Sequence, residues 1–391
     1  MTIGVTAPRG FRAAGITAGL KPSQNPDMAL IVSEPAAIAA GVCTTSITRA
    51  ACVTYNLEVL SGGHPVRAIL CNAGQANACT GEEGWQNAVT CAQWVAAALG
   101  SEGGVLVAST GVIGKQLDMP KMEAGIHQAI ASLSDRGGEA AARAIMTTDL
   151  VPKVHSVCAE IDGRTVTVGG MAKGSGMIHP QMATMLAFIT TDAAVEPEAW
   201  RSLLRRAADV SFNQITVDGD TSTNDMVLAL ANGAAGVEVP PSQLEAMVTE
   251  VCTELARAIA RDGEGATCLV TVLVAGTEDD AAARAMARTI AGSSLVKSAV
   301  FGRDPNWGRI AAAAGRAGVT FDPQALGIYL GPFALMETGT PQAFDRAAAS
   351  DYLRGKDVEI RVTAGSGAGQ GVAWGCDLSY DYVRINAEYT T

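Results

Sequence analysis

A layered α/β fold with mixed sheets is the fold class this sequence predicts, and three observations lead there. Apolar periodicity alternates between helix and strand from one end of the chain to the other. The strands are not each separated by one regular helix, which argues against a purely doubly wound parallel sheet. The 391 residues are 48% hydrophobic and only 17% charged, the reverse of the balance that keeps a chain disordered. The 43 glycines imply many tight turns and close backbone approaches. With aromatics at 5%, the core must be built from closely packed small aliphatic side chains.

The elements follow in chain order. Trp85, Val89, Ala92, Ala96 and Leu99 lie on one face of a helix that Gly100 stops. A strand over Val105–Ala108 is expected to break at Ser109-Thr110-Gly111, and Ile126, Ile130 and Leu133 mark a second helix. Arg164–Val168 alternates with period two, as a half-buried strand does, and Met185–Ile189 is a continuous apolar run of buried-strand length. Ser242-Gln-Leu-Glu245 reads as a capping box opening a long helix. Its apolar stripe is Leu244, Met247, Val248, Val251, Leu255 and Ile259, and Asp262-Gly263 ends it. Strands at Leu269–Val274 and Asp357–Val362 and helices near Asp280–Ala291 and Ala343–Leu353 complete the pattern. Length fits two or three domain-sized units, or one large α/β unit with a smaller partner.

Composition excludes several functions. The net charge is −11, with no Lys/Arg cluster, so the basic stripe of a nucleic-acid binder is missing. Nine cysteines form no C-x-x-C pair, which fits reduced, mostly buried thiols. No signal-peptide pattern and no long apolar run is visible, so a cytoplasmic protein is expected. The four histidines, His64, His127, His155 and His179, share no metal-like spacing.

The segment Met171–Asp192 carries the most unusual chemistry. Lys173 precedes a flexible Gly174/Gly176 loop that leads through Pro180 to Ala183 and Thr184, just before the apolar run. Thr184 has two readings. It is either a β-branched strand residue, or an N-terminal nucleophile released by cleavage of the Ala183–Thr184 bond. In the second case its own α-amine, with a reference pKa of about 7.7–8.0, removes the hydroxyl proton. Such chemistry needs oxyanion donors, and Ser109-Thr110-Gly111 can offer a hydroxyl and a glycine N–H, or can simply redirect the chain. Asp218 and Asp220, two carboxylates just after a strand, resemble the start of a magnesium-dependent phosphohydrolase. A hydrogen-bonded turn supporting the site is the other reading. His179 is either a catalytic base or a loop histidine.

At this point whole motifs match in order. They include Pro8–Gly15, Asn72–Asn77, Ser109–Gly114, Ile145–Asp149, Lys173-Gly174 through Ala183-Thr184, and Val217–Asp225. Asp262–Thr267, Phe301–Arg309, Gly375-Cys376-Asp377-Leu378 and Tyr382–Thr391 follow. With these motifs the chain closely resembles the ornithine acetyltransferase, or bifunctional glutamate N-acetyltransferase, family of arginine biosynthesis. The resemblance runs nearly end to end.

That resemblance implies a layered sandwich with stacked mixed β-sheets flanked by helices, an ornithine-acetyltransferase/DmpA-like fold of the autoprocessed N-terminal-nucleophile type. It implies cleavage between Ala183 and Thr184 into an α chain, 1–183, and a β chain, 184–391, assembling as an α2β2 heterotetramer. Thr184 is then the nucleophile, Thr110 and Gly111 the oxyanion pair, and Thr147, Lys173, Thr184, Glu264, Asn386 and Thr391 the substrate-binding set. The expected reaction is ping-pong transfer of acetyl from N2-acetyl-L-ornithine to L-glutamate, with N-acetylglutamate synthesis from acetyl-CoA as a second activity. A monofunctional enzyme that does not use acetyl-CoA is the alternative. No cofactor or metal is implied. Lys173 can pair with a substrate carboxylate and Glu264 with the side-chain ammonium. The sequence departs from the family at Cys268, where a lysine is usual, and around the Gly-rich Ser366–Gly371, read as a strand connection rather than a phosphate loop.

Overall fold

The computed structural model describes residues 4–100, 103–179 and 185–388. The first half of the chain runs β1 (Phe11–Ile16), β2 (Met28–Cys43), α1 (Ala51–Ser61), β3 (Val66–Gln75), α2 (Gly81–Leu99) and β4 (Gly104–Val112). Then come α3 (Met119–Ala131), α4 (Gly138–Ala144), β5 (Lys153–Ile161), β6 (Arg164–Lys173) and β7 (Leu186–Thr191). The second half runs α5 (Pro197–Val210), β8 (Met226–Ala231), α6 (Pro241–Arg261), β9 (Leu269–Thr277), α7 (Asp280–Ala291), α8 (Ser294–Phe301) and α9 (Trp307–Gly315). It closes with β10 (Gly327–Leu330), β11 (Phe333–Glu337), β12 (Thr340–Pro341), α10 (Arg346–Tyr352), β13 (Asp357–Thr363), β14 (Gly369–Cys376) and α11 (Tyr380–Glu388).

Both sheets are mixed, as expected. The larger is eight-stranded in the order β4-β3-β2-β8-β7-β6-β5, with β1 paired to β2. Within it β3/β4 and β7/β8 are parallel and the remaining pairs antiparallel. The smaller, β12-β11-β10-β13-β9-β14, has one parallel pair, β13/β9. Strands β7 and β8 explain their uninterrupted apolar runs, because both faces are covered. Leu186, Phe188, Met226, Leu228 and Leu230 pack with α1–α4 on one side. Ala187, Ile189, Val227, Ala229 and Ala231 pack with α5 and α6 on the other. A third core joins the smaller sheet to α7–α10.

The stripe Leu244, Met247, Val248, Val251, Leu255 and Ile259 of α6 is buried as its spacing predicts. Burial of each such side chain contributes about 1.5–3 kcal/mol. The expected capping box does not form. The helix starts one residue before Ser242, its N-cap is Pro240 with no side-chain cap, and Glu245 instead makes a bidentate pair with Arg206 at 2.7 Å. Two consecutive prolines start this helix, since Pro241 at its first position needs no N–H partner. The expected break at Ser109–Gly111 is absent as well, for β4 continues to Val112. Residues 364–368 connect β13 to β14, so Ser366–Gly371 is the end of a strand connection and the first residues of β14.

Candidate active site

The parallel partner β3 explains why β4 continues through Thr110 and Gly111. Ser109, Thr110 and Gly111 pair with Asn72, Ala73 and Gly74. Gly111 and Gly74 both have positive φ, 122° and 125°, and a Cβ on residue 111 would lie 2.5 Å from the Gly74 carbonyl carbon. Only glycine lets the two backbones approach this closely. Thr110 is buried. The preceding peptide is fixed by Asn224, whose amide donates to the carbonyls of Ser109 at 2.8 Å and Ala76 at 2.6 Å. Ser109 Oγ bonds Asn72 Oδ1 at 2.7 Å.

Asn224 and Asp225 immediately precede β8, and Met185 immediately precedes its parallel neighbour β7. Asp225 Oδ1 accepts the Met185 N–H at 2.9 Å, and the Met226 N–H donates to the Met185 carbonyl at 3.2 Å. Asp225 is fully buried, and among the described residues its Oδ2 has no hydrogen-bond partner. Burial pushes its carboxyl pKa well above the usual range, against the opposing pull of the Met185 N–H and the Lys173 charge. Neither Asn224 nor Asp225 is singled out by sequence reasoning. The available signal is a polar Asn-Asp pair directly before six consecutive apolar residues.

Lys173 ends β6, 2% exposed, opposite Leu186 in the antiparallel register. Its ammonium lies 3.8 Å from Asp149, too far for a hydrogen bond, and makes none among the described residues. Asp149 is a hub. It accepts the N–H groups of Gly174 at 2.7 Å and Thr147 at 3.0 Å, together with Lys153 Nζ at 2.7 Å. Burial alone would raise its pKa, but the ammonium groups of Lys173 and Lys153 and the Gly174 N–H hold the carboxyl well below the usual range. Lys153 also reaches Asp262 at 2.6 Å, so that ammonium is fully engaged, while the Lys173 ammonium makes no hydrogen bond among the described residues. Asp149, Lys153 and Asp262 thus position the lysine and threonine that the sequence singles out.

The loop after Lys173 is held from both sides. Ser175 Oγ donates to the Asp262 carbonyl at 2.6 Å, and the Glu264 N–H to the Ser175 carbonyl at 2.9 Å. A Cβ on Gly176 would collide with the Glu264 carboxyl group, so the glycine lets that carboxylate lie against the loop. Glu264 Oε2 accepts the Asn386 amide of α11 at 2.8 Å. Gly265, at φ 70°, passes beneath α11, where a Cβ would lie 2.5 Å from the Tyr382 nitrogen. Asp218 accepts the N–H groups of Met177 at 2.6 Å and Ile178 at 3.0 Å, which bears out its reading as a supporting turn. Burial and the neighbouring Asp220 raise its pKa, while those N–H bonds lower it. Burial, Asp218 and Glu264 in turn raise the Tyr382 phenol. His179 Nδ1 lies 3.1 Å from Thr216 Oγ1, and burial together with nearby Arg288 lowers its pKa, which favours the neutral ring near pH 7.

Among the expected site residues, the structure gathers Lys173 with Thr147 around Asp149, and Glu264 with Asn386 across the same loop. Thr110 and Gly111 connect to this region through Asn224 and Asp225. Ala183, Thr184 and Thr391 lie outside the described residues. Cys268 is buried, and its N–H faces Asp377 at 3.3 Å. Lys297, whose ammonium bonds the Val217 carbonyl and lies 3.5 Å from Cys376 Sγ, supplies a buried cation nearby. All nine cysteines are free, and no group of residues among those described could hold a metal ion. No described helix is long and apolar enough to cross a membrane.

A profile of the ArgJ family matches residues 12–391. The chain is 64% identical over 404 aligned residues to the arginine biosynthesis bifunctional protein ArgJ of a Synechococcus species, covering 99% of this chain and 97% of that one. It is 61% identical to the protein of the same name from a Synechocystis species, covering 99% and 98%. A crystal structure of the ArgJ protein of Bacillus halodurans aligns with TM-score 0.51 and 44% identity, covering 52% of this chain and 98% of that one. A match this long, at this identity, shows that the chain belongs to the ArgJ family.

Proposed function

We propose that this chain is a self-cleaving acetyltransferase of arginine biosynthesis. It transfers acetyl from N2-acetyl-L-ornithine to L-glutamate through acetyl-Thr184, and it also makes N-acetylglutamate from acetyl-CoA and glutamate. Cleavage between Ala183 and Thr184 yields chains 1–183 and 184–391, which assemble as an α2β2 heterotetramer. The alignment of a solved relative with only 52% of this chain fits a protein that exists as two pieces. A cytoplasmic setting accords with nine unpaired cysteines.

The observation that carries the reading is the Gly174–His179 loop. It leaves a buried cation, Lys173, that makes no hydrogen bond among the described residues, and it is backed by the carboxylate of Glu264. N2-acetylornithine carries an α-carboxylate and a side-chain ammonium, the charges these two groups complement. Asn386 and Thr147 border the same loop, and Thr391 completes the set in the family pattern.

The chemistry then runs in two balanced halves. The Thr184 α-amine takes the hydroxyl proton as Oγ attacks the acetyl carbonyl, and Thr110 with the Gly111 N–H stabilises the oxyanion. Collapse breaks the C–N bond, and the proton passes to the departing ornithine nitrogen. The glutamate amine next attacks the acetyl ester, its proton moves to the Thr184 amine, and the C–O bond breaks as that proton returns to Oγ.

Intact denatured mass spectrometry tests this. Wild type should appear as two fragments, together one water heavier than the precursor, the second beginning at Thr184. Thr184→Ala should stay whole and inactive. A wild-type chain that transfers acetyl while uncut would overturn the amine-base mechanism. Native mass measurement checks the heterotetramer.

A further inference from the structure

Strand β4 lies at the edge of the larger sheet, yet side chains cover its outward-facing backbone almost to its end. Gly104 and Val112, at its two ends, bond to Pro65 and Ala76 on the β3 side, each at 2.9 Å. Backbone N–H and C=O groups alternate sides along a strand, so the odd-numbered residues of β4 turn outward. Helix α1 covers the first of them. Tyr55 donates to the Val105 carbonyl at 3.1 Å, and the Asn56 amide bonds the Val107 N–H at 2.9 Å and the Val107 carbonyl at 2.7 Å. Asn224 takes the next outward carbonyl, that of Ser109. Gly111 follows, and its outward N–H makes no hydrogen bond among the described residues.

Asn224 differs from Asn56 in what it joins. Its amide nitrogen donates to carbonyls on two strands, Ser109 of β4 and Ala76 directly after β3, and its Oδ1 accepts the Thr223 hydroxyl at 2.5 Å. Both amide hydrogens are thereby engaged, which leaves Asn224 no donor to offer a reacting group. The side chain is buried, and its own segment is anchored, for the Thr44 and Ala50 N–H groups donate to the Asp225 and Thr223 carbonyls at 2.9 Å each. The two strand ends it joins are those where Gly74 and Gly111 approach most closely. The Ser109 carbonyl shares one rigid peptide plane with the Thr110 N–H, so a bond that fixes this carbonyl also fixes the backbone from which Thr110 and Gly111 are presented.

We propose that Asn224 is a positioning residue for the oxyanion pair, acting through the Ser109 carbonyl to hold the end of β4 so that Thr110 and the Gly111 N–H are aimed together. This rests on the reading of Thr110 and Gly111 as oxyanion donors. It also makes the alignment of those donors a contact between the two halves of the chain, since Asn224 lies in 184–391 and Ser109 and Ala76 in 1–183. Lys173 and Glu264 bind the ground state elsewhere in the site. Loss of the Asn224 bonds therefore weakens stabilisation of the transition state and leaves substrate binding in place.

Matched substitutions along one strand edge test this in the processed enzyme. Asn224→Ser should lower kcat for transfer from N-acetylornithine to glutamate about tenfold or more, with KM within about twofold, because both halves of the transfer pass through an oxyanion. Asn56→Ser breaks the same kind of bond at Val107 and should cost comparable thermal stability, with kcat within about twofold of wild type. Tyr55→Phe removes only the bond to the Val105 carbonyl and should keep kcat with a smaller drop in Tm. If folded Asn224→Ser stays uncut while Asn56→Ser cleaves, the cleavage step reports the same loss, since it also passes through an oxyanion. An unchanged kcat in Asn224→Ser, an equal loss of kcat in Asn56→Ser or Tyr55→Phe, or a raised KM without a fall in kcat would overturn the assignment. Failure of Asn224→Ser to fold would overturn it too, by giving Asn224 to the fold rather than to the donors. A wild type that neither cleaves nor transfers acetyl defeats the underlying reading instead, and that outcome is seen before any variant is made.

Discussion

Asp225 holds the backbone N–H of Met185 at 2.9 Å through one carboxyl oxygen, while the other oxygen, fully buried, meets no partner among the described residues. Met185 directly follows Thr184 in the chain, so this carboxyl group fixes the start of β7, the strand that Thr184 precedes. Burial raises its pKa against the opposing charge of nearby Lys173.

Asp225→Asn should keep the acceptor and therefore the fold, whereas Asp225→Leu leaves the Met185 N–H unsatisfied and should cost about 1–3 kcal/mol. Because the folded-state pKa is raised, the native protein holds a proton that the unfolded chain releases. Wild type should then lose stability as pH rises from about 4 toward the folded-state pKa. Asn removes that slope. Denaturant titrations of both proteins across this window measure the difference, and identical slopes would argue against a raised Asp225.

Asp149 has the opposite sign. Its depressed pKa gives stability that is present above about pH 4 and is lost as pH falls through and below that value. Asp149→Asn should flatten this acid loss. At pH 7 it strands Lys153 and Lys173 against fewer charges, at a cost of about 3–5 kcal/mol. Urea unfolding at pH 7 and at about pH 2–3, below the unfolded-state pKa, reads both effects.

Gly111→Ala should perturb both fold and activity, because φ is 122° and the added methyl meets the Gly74 backbone. Thr110→Val keeps the shape and removes only the hydroxyl. If that hydroxyl stabilises the oxyanion, kcat should fall about 10²–10³-fold with thermal stability little changed. A Val variant with wild-type kcat would assign oxyanion stabilisation to the glycine N–H alone.

Glu264→Gln keeps an acceptor for Asn386 and removes the charge that, in the proposed function, pairs with the ornithine ammonium. KM for N-acetylornithine should rise about tenfold or more, with a smaller change for glutamate, which lacks that cation. Steady-state kinetics with each substrate varied in turn separates the two.

Legibility differed from element to element for physical reasons. The α6 stripe and the β7 run were readable, because burial of a face leaves a period in the sequence. The Ser242–Glu245 box misled, since Pro240-Pro241 already sets the helix start and Glu245 finds Arg206 across the helix pair. Ser109–Gly111 looked like a break because glycine usually is one. Here the residue is required by the close approach of Gly74 on a neighbouring strand.

By itself the sequence determined the alternation of elements, the apolar faces, and the reactive inventory: a threonine after a small residue, a lysine before a glycine loop, a glutamate in Asp262–Thr267. Only the tertiary structure decided that Asp225 meets Met185, that Lys153 bridges Asp149 to Asp262, that Glu264 meets Asn386, and that Asn224 meets both Ser109 and Ala76. The reason is that spacing along a chain reports which residues share a face of one helix or strand. Hydrogen bonds and ion pairs between residues far apart in sequence depend on how those elements pack, which local pattern does not encode.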